Sequence, residues 1–240
     1  MFVLLGVVYC SKEDGEEYQQ ELITKLRVIG VATDPGILSL HAAEKTVIFT
    51  LYALTPKGQT ITFDSYTDPK WNKPLSSSVV NSEIIVEEKA GFDLHQIIQT
   101  HTLGEQAIEE IPEDPGYLSY NYGLQVKTAD ESEKVMGSLV FFHPKNAAAT
   151  WTPHKIKITS LTDGQTVNKD QELALEAEIQ NRNNESYRLG WFTSSGKIIN
   201  RRNIKTKITN LTTGKQTIIV TARGMHTGLF AMDTIEIEVE

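Results

Sequence analysis

Apolar and polar positions take turns along much of the chain, most clearly near its end. Between Thr217 and Val239, Ile218, Val220 and Ala222 alternate with polar neighbours, and Gly224 and Gly228 bracket a connection. Ile235, Ile237 and Val239 then alternate with Glu236, Glu238 and Glu240. Successive side chains of a strand point to opposite faces, so a period of two with turn residues between the runs predicts a half-buried antiparallel hairpin.

The same rhythm recurs upstream. Leu26 and Val28 begin a strand that ends at Asp34-Pro35-Gly36, and Val47, Phe49, Leu51 and Ala53 mark a second. Pro56-Lys57-Gly58 turns the chain into Ile61 and Phe63, and a further strand falls at Ile84 to Val86. Leu124 and Val126, then Leu139 and Phe141, flank the polar turn from Asp130 to Lys134. The pattern restarts after Asn146 to Pro153: Lys155-Ile156-Lys157-Ile158 echoes Lys25-Leu26-Arg27-Val28. Asp163-Gly164 then turns the chain, and Leu173, Leu175, Ala177 and Ile179 alternate cleanly before Leu189 and Trp191 share one face. Short strands with frequent turns predict an all-β chain of two β-sandwiches in tandem, residues 23–150 and 153–240. One stretch breaks the rhythm. From Ala90 to Glu110, Leu94, Ile97, Ile98, Leu103, Ala107 and Ile108 recur at three- and four-residue steps, predicting a short helical excursion ended by Pro112, Pro115 and Gly116.

Length agrees with two modules, since 240 residues accommodate two cores of ordinary domain size. The net charge of -8 is uneven. Residues 1–152 carry 11 Lys and Arg against 21 Asp and Glu, and residues 153–240 carry 12 against 10. Neither half has the basic excess of a nucleic-acid binder. At the start, Phe2, Val3, Leu4, Leu5, Val7 and Val8 run into Cys10, the only cysteine, and Ser11 to Glu21 is polar and acidic. A sole cysteine forms no intrachain disulfide, which leaves it free, intermolecular or modified. A short apolar core before a polar tether has the layout of a secretory signal. It resembles a bacterial lipoprotein signal, with residues 1–10 as signal segment and 11–22 as tether. The resemblance implies lipid on Cys10, attachment to a membrane and residence in the cell envelope, periplasmic or surface-exposed. The other reading is a hydrophobic first strand with a buried thiol.

Catalytic groupings are not expected. No Gly-x-Ser-x-Gly elbow and no phosphate-cradling Gly-rich motif occurs. His95 and His101 are six apart, where a zinc helix requires four, and His143 and His154 flank the junction. No metal and no cofactor is therefore predicted. The acids Glu105, Glu109, Glu110, Glu113 and Asp114 lie beside prolines and read as a solvated loop. Two surfaces remain as binding candidates. Trp71, Tyr117, Tyr120 and Tyr122 could offer aromatic contacts, and as a coplanar platform would suit an envelope glycan. Lys197, Arg201, Arg202, Lys205 and Lys207 occur without an acid among them. That basic stripe reads either as a contact for anionic envelope groups or as protection of a sheet edge.

Trp191, Ser194-Ser195-Gly196, Leu211-Thr212-Thr213-Gly214 and Gly228 before Asp233-Thr234-Ile235 resemble the bacterial immunoglobulin-like and polycystic-kidney-disease-type modules of surface proteins. With Leu26-Arg27-Val28-Ile29 and Pro56-Lys57-Gly58, the whole chain is similar to two-domain envelope lipoproteins of Gram-negative bacteria. The resemblance implies a non-enzymatic binding, adhesion or spacing protein, without catalytic residues to carry over, whose partner is a membrane and an envelope glycan or protein. A carbohydrate-binding module at the cell surface is the alternative.

Overall fold

A computed structural model describes residues 23, 25–39, 46–67, 74–104, 117–142, 152–182 and 185–240. Among them no helix occurs. The first eight strands are β1 (Arg27–Asp34), β2 (Ile37–Ser39), β3 (Thr46–Thr55), β4 (Thr62–Tyr66), β5 (Ser77–Lys89), β6 (Phe92–Leu103), β7 (Tyr117–Lys127) and β8 (Ser132–Phe142). They form two sheets, β1-β3-β6-β5 and β2-β8-β7-β4. The next eight are β9 (Lys155–Ile158), β10 (Gln165–Val167), β11 (Leu173–Gln180), β12 (Tyr187–Thr193), β13 (Lys197–Ile198), β14 (Lys205–Thr209), β15 (Gly214–Gly224) and β16 (Phe230–Val239). These give sheets β9-β11-β14-β13 and β10-β16-β15-β12.

The two halves share one topology. In each, the chain's first strand is split between the sheets, and its second piece runs parallel to the last strand, β2 along β8 and β10 along β16. With strands lettered in chain order, both modules read A-B-E-D on one sheet and A′-G-F-C on the other. That is the immunoglobulin distribution of strands.

The alternation seen in sequence accounts for both cores. Val47, Phe49, Leu51 and Ala53 are fully buried on one face of β3, opposite Leu124, Val126 and Leu139. In the second module, Ile218, Val220 and Ala222 on β15 and Ile235, Ile237 and Val239 on β16 line the core with Leu175 and Ile208. Trp191 on β12, the third full strand, is buried among them and donates its Nε1 proton to Asn203 O at 2.9 Å. A buried indole N–H without a partner would be costly, so this bond fixes the ring's orientation. Pro56 to Gly58 forms the expected turn, with Gly58 at φ 76°, where a glycine meets no steric penalty.

The helical excursion is corrected. Residues 92–103 are strand β6, paired with β3 on one side and β5 on the other. Its inward face is buried, and so is the Phe92 and Leu94 end of its outward face, and this misled the periodicity. Ile97 enters the first core, whereas Phe92 and Leu94 point the opposite way into a separate apolar cluster. His95, Gln99 and His101 fill buried positions with polar groups, so apolar residues no longer alternate. Residues 105–116, the rest of that excursion, lie outside the described set, as does most of the junction from Asn146 to Pro153.

The separate cluster is the seam between modules. Leu54, Phe92 and Leu94 from β3 and β6 pack with Ile219 of β15, joined by Ile29, Tyr52, Phe192 and Met232. A second contact places Leu229, in the β15–β16 connection, against Val140, with Ile37 and Tyr117 beside them. Polar links add to it: Ser119 Oγ donates to Thr227 O at 3.1 Å, and Lys89 Nζ lies 3.7 Å from Glu236 Oε1. Gly30 is required where β1 meets β16, because a Cβ there would sit 2.1 Å from the Phe230 ring. Each buried aliphatic or aromatic side chain contributes about 1.5–3 kcal/mol, so the few that are fully buried in the seam suffice to hold the modules as one body. Gly30→Val is expected to cost about 1–3 kcal/mol through overpacking. It should also split a single calorimetric unfolding transition into two, one per module; an unsplit transition would show that the seam does not couple them.

Candidate functional site

Placement of the aromatic candidates follows from strand parity. Tyr120 and Tyr122 share the inward face of β7: Tyr120 is buried, and the Tyr122 ring stacks 4.8 Å from Phe49. Tyr122 donates its hydroxyl proton to Gln99 Oε1 at 2.8 Å, and its Oη lies 3.0 Å from Ser65 Oγ. Tyr117 faces the other way and packs on the Val140 and Leu229 cluster. The three do not share a platform, and Trp71 lies outside the described residues, as does Cys10.

The basic stripe is divided by the fold. Lys205 and Lys207 project from β14, an interior strand, and each meets an acid: Lys205 with Glu176 at 3.0 Å and Lys207 with Glu172 at 2.6 Å. These exposed pairs are worth little individually, but they neutralise that part of the surface. Lys197 sits exposed on edge strand β13. Arg201 and Arg202, in the β13–β14 turn, go elsewhere.

They line a cleft of about 460 Å³ between the modules. Arg27 reaches it from β1, Arg188 from β12 and Arg223 from β15, so five arginines converge there. Arg188 and Arg223 are direct cross-strand partners in the β12–β15 register. Like charges in that relation repel, and no ion pair is recorded for either within the described residues. Burial, and then the neighbouring Arg188, hold the Arg223 guanidinium below its ordinary value. The one acid in the lining, Glu133, accepts the Val28 N–H at 2.7 Å. Ile29, Met136, Leu189, Phe192 and Phe230 supply apolar wall. Gly30 and Gly190 let neighbouring side chains of the wall pack against the backbone, since a Cβ at Gly190 would lie 2.9 Å from Thr221 Oγ1.

Sequence reasoning found Arg201 and Arg202 but missed the other three arginines. The signal available was that Arg188 and Arg223 stand at outward strand positions with no acid at the neighbouring positions. Their pairing is a matter of register between segments 35 residues apart, which local pattern does not encode.

A different surface is open at the far edge of the first module. β5 is 13 residues long, pairs with β6 and takes no second neighbour among the described residues. Val80 is 60% exposed and Val86 50%, with Val79, Ile84 and Ile85 also exposed. A long apolar edge strand of this kind is a template for pairing with another chain.

The buried histidines serve the cores. His95 Nε2 lies 2.8 Å from Thr55 Oγ1, His101 Nδ1 2.9 Å from Ser77 Oγ, and His154 Nε2 3.1 Å from Ala222 O. His143 lies outside the described residues, and no group of three potential ligands assembles a metal site among those described. Glu185 is a structural anchor: its carboxylate accepts the Thr227 N–H at 3.1 Å and the His226 N–H at 3.2 Å, fixing the loop that touches the first module.

No protein-family model matches the chain, and no curated protein matches it. Among solved structures, it is similar to the fibronectin(III)-like modules of Clostridium thermocellum CbhA, with 12% identity, 88% of this chain and 94% of that chain covered, and a TM-score of 0.32. The tandem Ig repeats of Dlar give 10%, 90%, 98% and 0.33 in the same order. The N-terminal Ig1-2 module of the Drosophila receptor protein tyrosine phosphatase DLAR gives 8%, 90%, 99% and 0.34. At this level of similarity these structures say nothing of function, and the immunoglobulin-like arrangement rests on the strand order itself.

His101 gives a pH prediction. Burial against Phe49 and Tyr122 lowers it from 6.5 to about 4. The folded state keeps it neutral while the unfolded chain takes up the proton first, so stability is greatest above pH 6.5 and falls as pH drops towards 4. The loss from this group is expected to be about 3 kcal/mol. Urea unfolding across that range should show it, and His101→Gln should flatten the slope.

Proposed function

We propose that the chain is a non-enzymatic binding and adhesion protein of the cell envelope, held to a membrane by lipid on Cys10 and presenting two welded immunoglobulin-like modules. The observation that carries the binding reading is the β5 edge, which takes no second neighbour among the described residues. Its outer backbone groups, unpaired among the described residues, and the exposed apolar runs Val79-Val80 and Ile84-Ile85-Val86 suit an added antiparallel strand, in which backbone hydrogen bonds supply affinity and side chains on both faces supply specificity. Charge narrows the occupant. Glu87 is engaged by Lys89 at 3.2 Å and by the Gln96 amide, whereas Glu83 and Glu88 have no recorded partner within the described residues. The fitting partner is an extended protein segment that alternates apolar residues with lysine or arginine.

Anchoring follows from the apolar run before Cys10 and the polar tether after it. Acyl chains contribute about 0.8 kcal/mol per buried CH₂, so two or more hold a protein on a bilayer durably. Welded modules would then carry β5 away from that surface as one stiff unit. A carbohydrate-binding reading finds no support in the tyrosines, which are turned into the core and the seam.

Two measurements test this reading. A peptide alternating valine and lysine should slow amide hydrogen exchange across β5, one alternating valine and glutamate should not, and Val86→Pro should abolish the protection; exchange unchanged by either peptide sinks the strand-addition mode. Mass spectrometry of the membrane fraction should find lipid on Cys10, and Cys10→Ser should release the chain to the soluble fraction. Recovery of the unaltered chain as an unlipidated soluble protein would overturn the envelope location.

A further inference from the structure

We infer that the arginine cleft between the modules is a binding site for an organic phosphate carrying a second anionic group. The chemistry begins with Arg188 and Arg223. Two guanidinium groups placed opposite one another on paired strands repel, and the partial burial of Arg223 removes some of the water that would screen that repulsion. A structure keeps such a pair at a cost unless an anion joins them. The planar fork of each arginine matches the oxygens of a phosphate, with two parallel N–H donors per side chain.

Positive charge is concentrated here, and no ion pair is formed by Arg188 or Arg223 among the described residues. Glu133 is the one acid in the lining, and one of its oxygens accepts the Val28 N–H. The lysines of β14, by contrast, have acids beside them. The arginines also come from separate places, β1 of one module and β12, β15 and the β13–β14 turn of the other. They surround the cavity, which suits a ligand with charge at two points better than a single ion.

Size and shape agree. A volume of about 460 Å³ lies within the range of small-molecule sites and accommodates a phosphorylated sugar or a lipid headgroup. Phe192, Phe230 and Met136 offer apolar surface between the charged groups. The ligand would touch both modules and so add to the seam's cohesion. The site is separate from β5, and its failure would leave strand addition unaffected.

Titration calorimetry of the full chain with inorganic pyrophosphate is expected to show saturable binding, weakened at least tenfold in Arg188→Gln and in Arg223→Gln. Arg223→Lys should fall with them, because an ammonium keeps the charge but loses the fork. Lys205→Gln and Lys207→Gln should bind as the parent does. Arg188 is exposed, so its variant remains informative if Arg223→Gln fails to fold. Vesicles of phosphatidic acid in phosphatidylcholine distinguish the sources. Vesicle binding that pyrophosphate displaces identifies a lipid headgroup, and pyrophosphate binding without vesicle binding identifies a soluble phosphate. No binding of either at millimolar pyrophosphate, or binding equal in parent and Arg188→Gln, overturns the assignment.

Discussion

Ile219 sits in the centre of the molecule's main constraint. The sheet β10-β16-β15-β12 has its inner face in the second core, and around Ile219 its outer face is buried as well, against Leu54, Phe92 and Leu94 of the first module. An antiparallel sheet with one face in water can tolerate many substitutions on that face. A sheet buried on both sides cannot, because packing density is then close to that of a crystal in both directions. The relative position of the two modules is therefore set by side-chain fit, and Gly30 under the Phe230 ring is the tightest point of that fit.

The cleft is a consequence of how this seam ends. Where apolar residues give way to Arg188, Gly190, Thr221 and Arg223 along β12 and β15, a recess opens between the modules. Desolvation there acts on charge instead of on hydrocarbon. The same burial that makes Ile219 stabilising makes Arg223 costly, and this opposition is why the recess reads as a site for an anion. At the opposite edge, β5 extends with apolar residues in solvent and acids that lack partners among the described residues. One chain thus carries an arginine-rich recess at its junction and an acidic, apolar strand at its margin, surfaces that suit different partners.

Polar groups placed inside the cores specify the arrangement more than they strengthen it. His101 is fully buried between Phe49, Tyr122 and Ser77, and Gln99 beside it receives the Tyr122 hydroxyl. Buried polar side chains tolerate few alternative registers, because a slip of one residue would move each of them to the wrong face. Glu185 does the same for the β15–β16 connection, whose Thr227 carbonyl and Leu229 side chain then meet the first module.

Strand identity was legible wherever one face of a strand is buried, because period-two alternation records a single environment per face. The hairpin from Thr217 to Val239, the buried face of β3 and Trp191 were all read correctly on that basis. β6 was not, since its two faces meet different partners and its inward positions hold His95, Gln99 and His101; alternation then carries no contrast. The basic stripe from Lys197 to Lys207 was visible as composition, but its division into neutralised lysines and cleft arginines depends on Glu172, just before β11, and Glu176 within it lying beside β14. The amino-acid order by itself determined two sandwiches of alternating strands. Tertiary structure alone decided that they share a seam, and that Arg27, Arg188 and Arg223 line one cleft at its end, because contacts between distant segments are fixed by packing and register and not by local period.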